Sequence, residues 1–278
     1  MKLINTLAEM QALKHPEGLK IGFVPTMGYL HEGHLSLVDA SKKDCDLTIV
    51  SIFVNPAQFG ENEDLDSYPR DMERDLSLLK ARGVDYVFFP DARMMYPNGY
   101  RTWVEVEGLS DILCGASRKG HFRGVCTVVL KLVNIVKPHY MYMGDKDYQQ
   151  QSILRIMLKD LNLETTIVGC PIVREQDGLA KSSRNVYLDP NNRQIALCLY
   201  RALIQAQQEV RSGILVAETL AEHAAALIES TGARVDYVKI IDSRDLSFPN
   251  EVNEHSRMVI AAYVGKTRLI DNMLLVSP

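Results

Sequence analysis

One stretch, residues 21–37 (IGFVPTMGYLHEGHLSL), does most to limit what this chain can fold into. It starts as an apolar run of β-favouring residues, breaks at Pro25, turns at Gly28 and resumes with Leu35, Leu37 and Val38, which suit a helix. The order strand, tight turn, helix N-terminus is that of a parallel α/β unit. His31 and His34 stand three apart, so a helix beginning here brings them to one face. A helix start offers free amide N–H groups and the positive end of the dipole, which suits phosphate. Two imidazoles on that turn would add donors for the same anion. An isolated HxxH also describes a buried turn with satisfied polar histidines, and this stretch alone leaves both readings open. A metal site is the weakest reading. The run HEGH lacks the four-residue spacing of HExxH, and no other Cys or His stands at ligand spacing.

The rest of the chain continues the pattern. Periodicity predicts a helix over residues 3–14, ending at the turn His15-Pro16-Glu17-Gly18. After the 21–37 unit come a helix over 33–43 and a buried strand over 46–54, which runs into Asn55-Pro56-Ala57-Gln58-Phe59-Gly60. An acidic stretch (61–66), a helix (71–82) closed by Gly83, and a strand (84–90) follow. Residues 93–124 are less regular, with a strand expected over 102–106. Then come an apolar helix (125–136), a short strand (139–143) stopped by Gly144-Asp145-Lys146-Asp147, a helix (148–161) and a strand (164–173). Strands alternating with helices imply a parallel sheet, and in such sheets ligands bind at the carboxyl ends of the strands.

Beyond Val173 the character changes. A polar, Gly-containing stretch (174–184) leads to Asp189-Pro190, a good N-cap and first-turn pair for a long helix to Ser212. A helix over 217–230 and strands over 234–241, 258–264 and 267–276 follow, the last two joined at Gly265-Lys266 as a hairpin. The expected organisation is a Rossmann-like nucleotide-binding domain over 1–173 and a smaller α+β domain over 174–278 closing over the active site.

Composition excludes several function classes. With 31 basic against 35 acidic residues and a net charge of -4, the chain is no general nucleic-acid binder. Five cysteines without a CxxC pair read as reduced thiols of a cytoplasmic protein. No stretch reaches the roughly 18 apolar residues of a membrane span, and residues 1–14 are too charged for a signal peptide.

Four polar clusters fall at expected strand ends or interdomain loops: HEGH, NPAQFG, GDKDYQQ and KSSRN. Singly each has a bland reading as solvated loop residues. Together, with DLDSYPR, MYPNG, HFRGV and VREQDGLAKSSRNVYL in the same order, they resemble the pantoate–β-alanine ligases over nearly the whole chain. The resemblance implies membership of the HxGH nucleotidyltransferase superfamily. It further implies ATP-dependent condensation of D-pantoate with β-alanine through a pantoyl adenylate, giving pantothenate, AMP and pyrophosphate.

Carried over residue by residue, the resemblance places His31 and His34 on the ATP phosphates, with His34 as proton donor. Lys146 would neutralise phosphate charge. Ser182, Ser183 and Arg184 would form a mobile loop over the phosphates. Pro25, Met27 and Gly28 would line the nucleotide site, Gly144, Asp147 and Val173 would hold the nucleotide, and Lys181 lies beside the phosphate loop. Gln58 and Gln150, with Met27 and Asn55, would bind pantoate, whose hydroxyls suit amides that both donate and accept. Asp75 would contact the Mg²⁺ carried by ATP, and a homodimer is implied. Two positions depart from the family pattern: Lys181 stands where Met is usual, with its ammonium expected in solvent, and Asp145 stands where Glu is commoner. Two other readings compete. Another HxGH nucleotidyltransferase has no reason to carry Gln58, Gln150 and the SSRN loop, and an inactive nucleotide sensor should have lost some of His31, His34, Lys146 and Arg184.

Overall fold

The computed structural model describes residues 1–276 other than 14, 15, 17 and 62. The turn expected at 15–18 therefore lies partly outside the described residues. Two units are resolved, one of residues 1–145 and 150–171, the other of 146–149 and 172–276.

In the first unit, strands β1 (Lys2–Ile4), β2 (Ile21–Thr26), β3 (Leu47–Ile52), β4 (Tyr86–Phe88), β5 (Tyr140–Gly144) and β6 (Thr166–Cys170) form one sheet in the order β1-β4-β3-β2-β5-β6. Every pairing is parallel. The helices are α1 (Leu7–Gln11), α2 (Glu32–Asp44), α3 (Met72–Ala81), the short α4 (Ala92–Met95) and α5 (Cys114–Ser117), α6 (His121–Val136) and α7 (Tyr148–Asp160). Chain order moves outward from β2 to β3 and β4, then returns to β2's other side with β5. The β2/β5 boundary is therefore the point where strand order reverses, the crevice that open α/β sheets use for ligands. Val24, Val50 and Ile52 of the sheet pack with Leu30, Leu35, Val38 and Leu79 into one buried cluster. The turn after β2 thus rests directly on the core.

Three local expectations are corrected. Residues 3–14 are not one helix, because Lys2–Ile4 pair with β4 and α1 begins only after a capping box in which Thr6 and Glu9 bond each other's backbone. Residues 102–106 join neither sheet; the Val104 amide bonds the Thr127 hydroxyl instead of a strand partner. The helix expected over 189–212 pauses at Ala196, giving α8 (Pro190–Ile195) and α9 (Leu197–Arg211).

In the second unit, α8, α9 and α10 (Ala217–Ser230) accompany an antiparallel sheet of β7 (Arg234–Asp242), β8 (Ser256–Val264) and β9 (Thr267–Leu274) in that order. Leu203, Ala206, Leu220, Ala224 and Ile228 pack against Val238, Ile240, Ile260 and Leu269 as its core. The β8–β9 hairpin turns at Gly265, whose φ of +58° is open to glycine at little cost.

At the end of β7, Asp242 accepts from Arg244 Nε at 2.9 Å, Arg244 Nη2 at 2.7 Å and the Arg244 amide at 2.9 Å. The Arg244 hydrogen bonds hold its carboxyl down to about 2. Because the folded value lies below the unfolded one near ~3.9, this stabilisation is present above that pH and is lost as pH falls towards the folded value. Thermal unfolding of the parent protein and Asp242→Asn should therefore differ at pH 6 and converge towards pH 2. A pH-independent difference would refute the linkage.

Candidate active site

The HEGH turn is built around an unusual backbone. Gly28 has φ +82° and Tyr29 φ +51°, so two consecutive residues lie in the left-handed region. A side chain at Gly28 would press on Ile52 and on the Asp75 carboxylate. That carboxylate, on α3, holds the turn in place. Its two oxygens accept from the Tyr29 and Leu30 amides, each at 2.7 Å, and the residue is 1% exposed. Arg74 closes the clamp, donating to the Leu30 carbonyl at 2.9 Å and lying over the Tyr29 ring. Burial pushes the Asp75 carboxyl up from its ordinary value, against the pull of the two amides and Arg74. The expected magnesium contact at Asp75 does not fit this geometry, because the carboxylate is enclosed and occupied by the turn it supports.

The clamp delivers the two histidines in a defined state. His31 is the N-cap of α2, its Nδ1 accepting from the Gly33 amide at 3.1 Å. His34 returns the bond, its Nδ1 accepting from the His31 amide at 3.4 Å. An Nδ1 that accepts is unprotonated, so in the neutral rings both protons sit on Nε2. The ring centroids lie 4.0 Å apart. The turn therefore presents two Nε2–H donors beside the N-terminus of a 13-residue helix, an arrangement suited to phosphate oxygens.

After β3, the strand next to β2, Asn55 caps the single turn 56–58. Asn55 is 1% exposed, and its amide is fully used: Oδ1 accepts from Ala57 N and Tyr96 Oη, while Nδ2 donates to Gln58 Oε1 and the Gly124 carbonyl. It therefore organises the turn, and a direct side-chain contact with substrate does not fit. Burial raises the Tyr96 phenol, keeping it a neutral donor to Asn55. Gly124 lets α6 approach so closely that a Cβ would collide with the Ala57 carbonyl. Gln58 is half-buried; its Nε2 donates to Met27 Sδ at 3.2 Å, and its carbonyl accepts from His121 Nδ1 at 2.9 Å. Arg118 meets the other nitrogen of His121 and forms a two-bond ion pair with Glu63. Gln58 is thus aimed from both its side chain and its backbone.

Beyond β5, on the other side of β2, Gly144 ends the strand and 145–147 form one turn, with Lys146 half-buried and Asp147 exposed. Gln150 follows on the first turn of α7, half-buried. Within the second unit, Val173 and Lys181 pair through the Lys181 amide, and Arg174 bridges Ala180, so 173–181 form a tight hairpin. It leads into Ser182, whose Oγ accepts from the Arg184 amide at 3.2 Å, and into the buried Ser183. Pro25 lies in β2, paired with Ser51 of β3. Among the described residues no group of three or more His, Cys, Asp or Glu could hold a metal ion, and no helix is long and apolar enough to cross a membrane. All five cysteines are free thiols.

A parallel α/β sheet with a phosphate-suited turn at its reversal point defines a nucleotide-site architecture, and comparison with known proteins narrows it. The family model described as Pantoate-beta-alanine ligase matches residues 2–274. Pantothenate synthetase of Thermosipho africanus is 51% identical over 278 residues, covering 99% of this chain and 100% of that protein. That of Acetivibrio thermocellus is 49% identical over 279 residues, covering 99% of each. The crystal structure of pantothenate synthetase from Thermus thermophilus superimposes with a TM-score of 0.95 at 43% identity, covering all of both chains. The Francisella tularensis enzyme, solved with β,γ-ATP and β-alanine, gives 0.86 at 37% identity, covering 100% of this chain and 99% of that one. The chain belongs to the pantoate–β-alanine ligase family and is a ligase.

Reading the sequence for motifs found the HEGH, NPAQFG, GDKD and KSSRN segments but missed Tyr96, His121, Gly124 and Arg74 as their supports. MYPNG and HFRGV contain three of these residues, yet nothing in a motif says which backbone it touches. The Asp75 clamp has a direct test. Asp75→Asn keeps the size but turns an NH₂ group on one of the two turn amides. It should cost about 1–3 kcal/mol of stability by denaturant unfolding, the penalty for an unpaired buried donor. A change below about 0.5 kcal/mol, typical of surface substitutions, would remove the clamp from its role.

Proposed function

We propose that the chain condenses D-pantoate with β-alanine at the expense of MgATP, through a pantoyl adenylate. The observation that carries this is the pair of Nε2–H imidazoles on the Asp75-clamped turn, flanked in strand order by Gln58 beyond β3 and the Gly144–Lys146 turn beyond β5. In the first half-reaction a pantoate carboxylate oxygen attacks the α-phosphorus of ATP, and the bond to the bridging oxygen of pyrophosphate breaks. In the second, the β-alanine amine attacks the acyl carbon, the carbon–oxygen bond to AMP breaks, and the amine proton is lost. Such chemistry needs positioning and charge stabilisation more than covalent help from the protein.

His31 and His34 donate to phosphate oxygens, and His34 is the proton donor. Lys146, Ser182, Ser183 and Arg184 offset the negative charge that shifts onto the leaving pyrophosphate. Backbone at Pro25, Met27, Gly28, Gly144, Asp147 and Val173 lines the nucleotide. Gln58 and Gln150 bind the pantoate hydroxyls and carboxylate. Magnesium enters on the nucleotide phosphates, which supply the hard oxygens it prefers without a protein-built cage. Five free thiols and a small net charge suit a cytoplasmic enzyme, and the family likeness supports a homodimer.

Pyrophosphate release from MgATP tests this reading. Release should be a single turnover with D-pantoate alone and become continuous, with AMP and pantothenate formed, once β-alanine is added. Folded, ATP-binding protein with no pantoate-dependent release would overturn it. Lys146→Ala should lower turnover by about 10²–10³-fold, the usual effect of removing one preorganised charge contact, and near-normal turnover would take Lys146 out of the mechanism. Gln58→Ala should raise the KM for pantoate more than that for ATP; an unchanged pantoate KM would count against the amide pocket.

A further inference from the structure

Strand β9 carries two consecutive polar residues, Asp271 and Asn272, each 3% exposed. Successive strand residues project to opposite faces, so each has its own set of partners. Burying a carboxylate and an amide side by side costs stability unless both are fully bonded.

Asp271 receives a two-pronged bond from Arg174, Nη1 to Oδ2 at 2.6 Å and Nη2 to Oδ1 at 2.9 Å, and a third from the Asn272 amide at 2.7 Å. Arg174 is itself locked. Nη1 also donates to the Gly178 carbonyl at 3.0 Å, and the guanidinium lies 4.6 Å from the Tyr200 ring centre. Gly178, at φ +98°, sits so close to Tyr200 that a side chain there would collide with the ring. This fixes the turn of the 173–181 hairpin, and the hairpin leads straight into Lys181-Ser182-Ser183-Arg184. Asn185 ties the far end back, donating to the Ala180 carbonyl at 3.1 Å.

Asn272 serves the other segment. Its Nδ2 donates to the Lys146 carbonyl at 2.9 Å, and its Oδ1 accepts from Arg257 Nη1 at 2.5 Å. Arg257 lies over the Tyr148 ring at 4.1 Å, and the Tyr148 hydroxyl donates to the Ser243 carbonyl at 2.7 Å. Residues 146–149 are thus fastened to the second unit, although they follow β5 of the first in sequence.

We propose that Asp271 and Asn272 are the positioning residues of the cationic part of the phosphate site. Asn272 sets the backbone from which Lys146 projects, and Asp271, through Arg174, sets the hairpin that delivers Ser182, Ser183 and Arg184. One strand then fixes the spacing between Lys146 and the serine–arginine segment, so both move as one body. The inference rests on the reading above that these groups act on ATP phosphates.

The decisive variant is Asn272→Asp, which keeps the size and the bond from Arg257 but cannot donate to Lys146. It should lower kcat for pantoate-dependent pyrophosphate release by about tenfold or more, since small misplacements of a catalytic group cost this much. The KM for pantoate should stay within about twofold. In the Lys146→Ala background the same substitution should cost less than about twofold, because neighbours that act through one another are not additive. Equal losses in both backgrounds would show a merely structural role and overturn the proposal, as would an unchanged kcat in the single variant. Asn272→Ser, which leaves the Lys146 carbonyl unpaired without a new charge, gives the same cycle if the aspartate variant does not fold. Arg174→Lys against Arg184→Ala tests the Asp271 arm in the same way. Each cycle is also read on the Kd of a non-hydrolysable ATP analogue. Wild-type protein that binds the analogue but releases no pantoate-dependent pyrophosphate would refute the substrate reading, while the binding cycle would still decide the positioning role.

Discussion

The backbone that leaves β2 must turn sharply into α2, and its amides must be paired as it does so. Asp75 accepts two of them, at Tyr29 and Leu30, from a position almost entirely removed from water. Buried amides seldom go unpaired, and Gly28 and Tyr29 both adopt positive φ, a conformation that persists only where the surroundings enforce it. The histidines inherit their orientation from this clamp. Once Leu30 is fixed, His31 falls at the N-cap, its Nδ1 takes the Gly33 amide, and His34 takes the His31 amide in return. With both Nδ1 atoms accepting backbone amides, the proton of each neutral ring is set on Nε2 by hydrogen bonds made on the opposite side of that ring.

The same logic of support from behind recurs at Gln58. Its side chain meets Met27 and Asn55, while its carbonyl is held by His121, itself braced by the Arg118–Glu63 ion pair. Asn55 makes four bonds and has none left for a ligand. A polar residue next to a proposed binding residue therefore need not bind. Its value lies in removing the freedom its neighbour would otherwise lose on binding, a cost that preorganisation avoids.

Sequence pattern and structure agree where the signal is local. Alternation of apolar runs with helical periodicity located β2 through β6 and the helices α2, α3, α6 and α7, though not the short α4 and α5, and turn chemistry located the β8–β9 hairpin and the N-cap at Asp189. The failures are also local in origin. Apolar spacing in residues 3–14 cannot show that Leu3 and Ile4 find a sheet edge, and β-favouring residues at 102–106 cannot supply the missing partner strand. The site divides along the same line. The segments of the candidate site were legible because several lie at strand ends, whereas their supports are distant in sequence: Asp75 is 45 residues from Leu30, and Asn272 is 126 from Lys146. Periodicity carries no information about such pairs, and a lone Asp or Asn in an apolar strand reads only as an anomaly.

That anomaly is informative once its partners are known. A buried ion pair such as Arg174–Asp271 adds little net stability, since the desolvation of both charges offsets most of their attraction. Burial indeed pushes the Asp271 carboxyl up, with Arg174, the Asn272 amide and the Lys146 ammonium pulling the other way. An apolar pair on β9 would stabilise the small sheet as well or better. What it would not supply is direction: Arg174 reaches the Gly178 carbonyl and the Tyr200 face at the same time as Asp271, which ties the hairpin at three points. The bonds made by Asn272 to Lys146 and Arg257 are equally particular. On energetic grounds, then, Asp271 and Asn272 are better explained by the placement of the segments they hold than by the stability of the sheet that carries them.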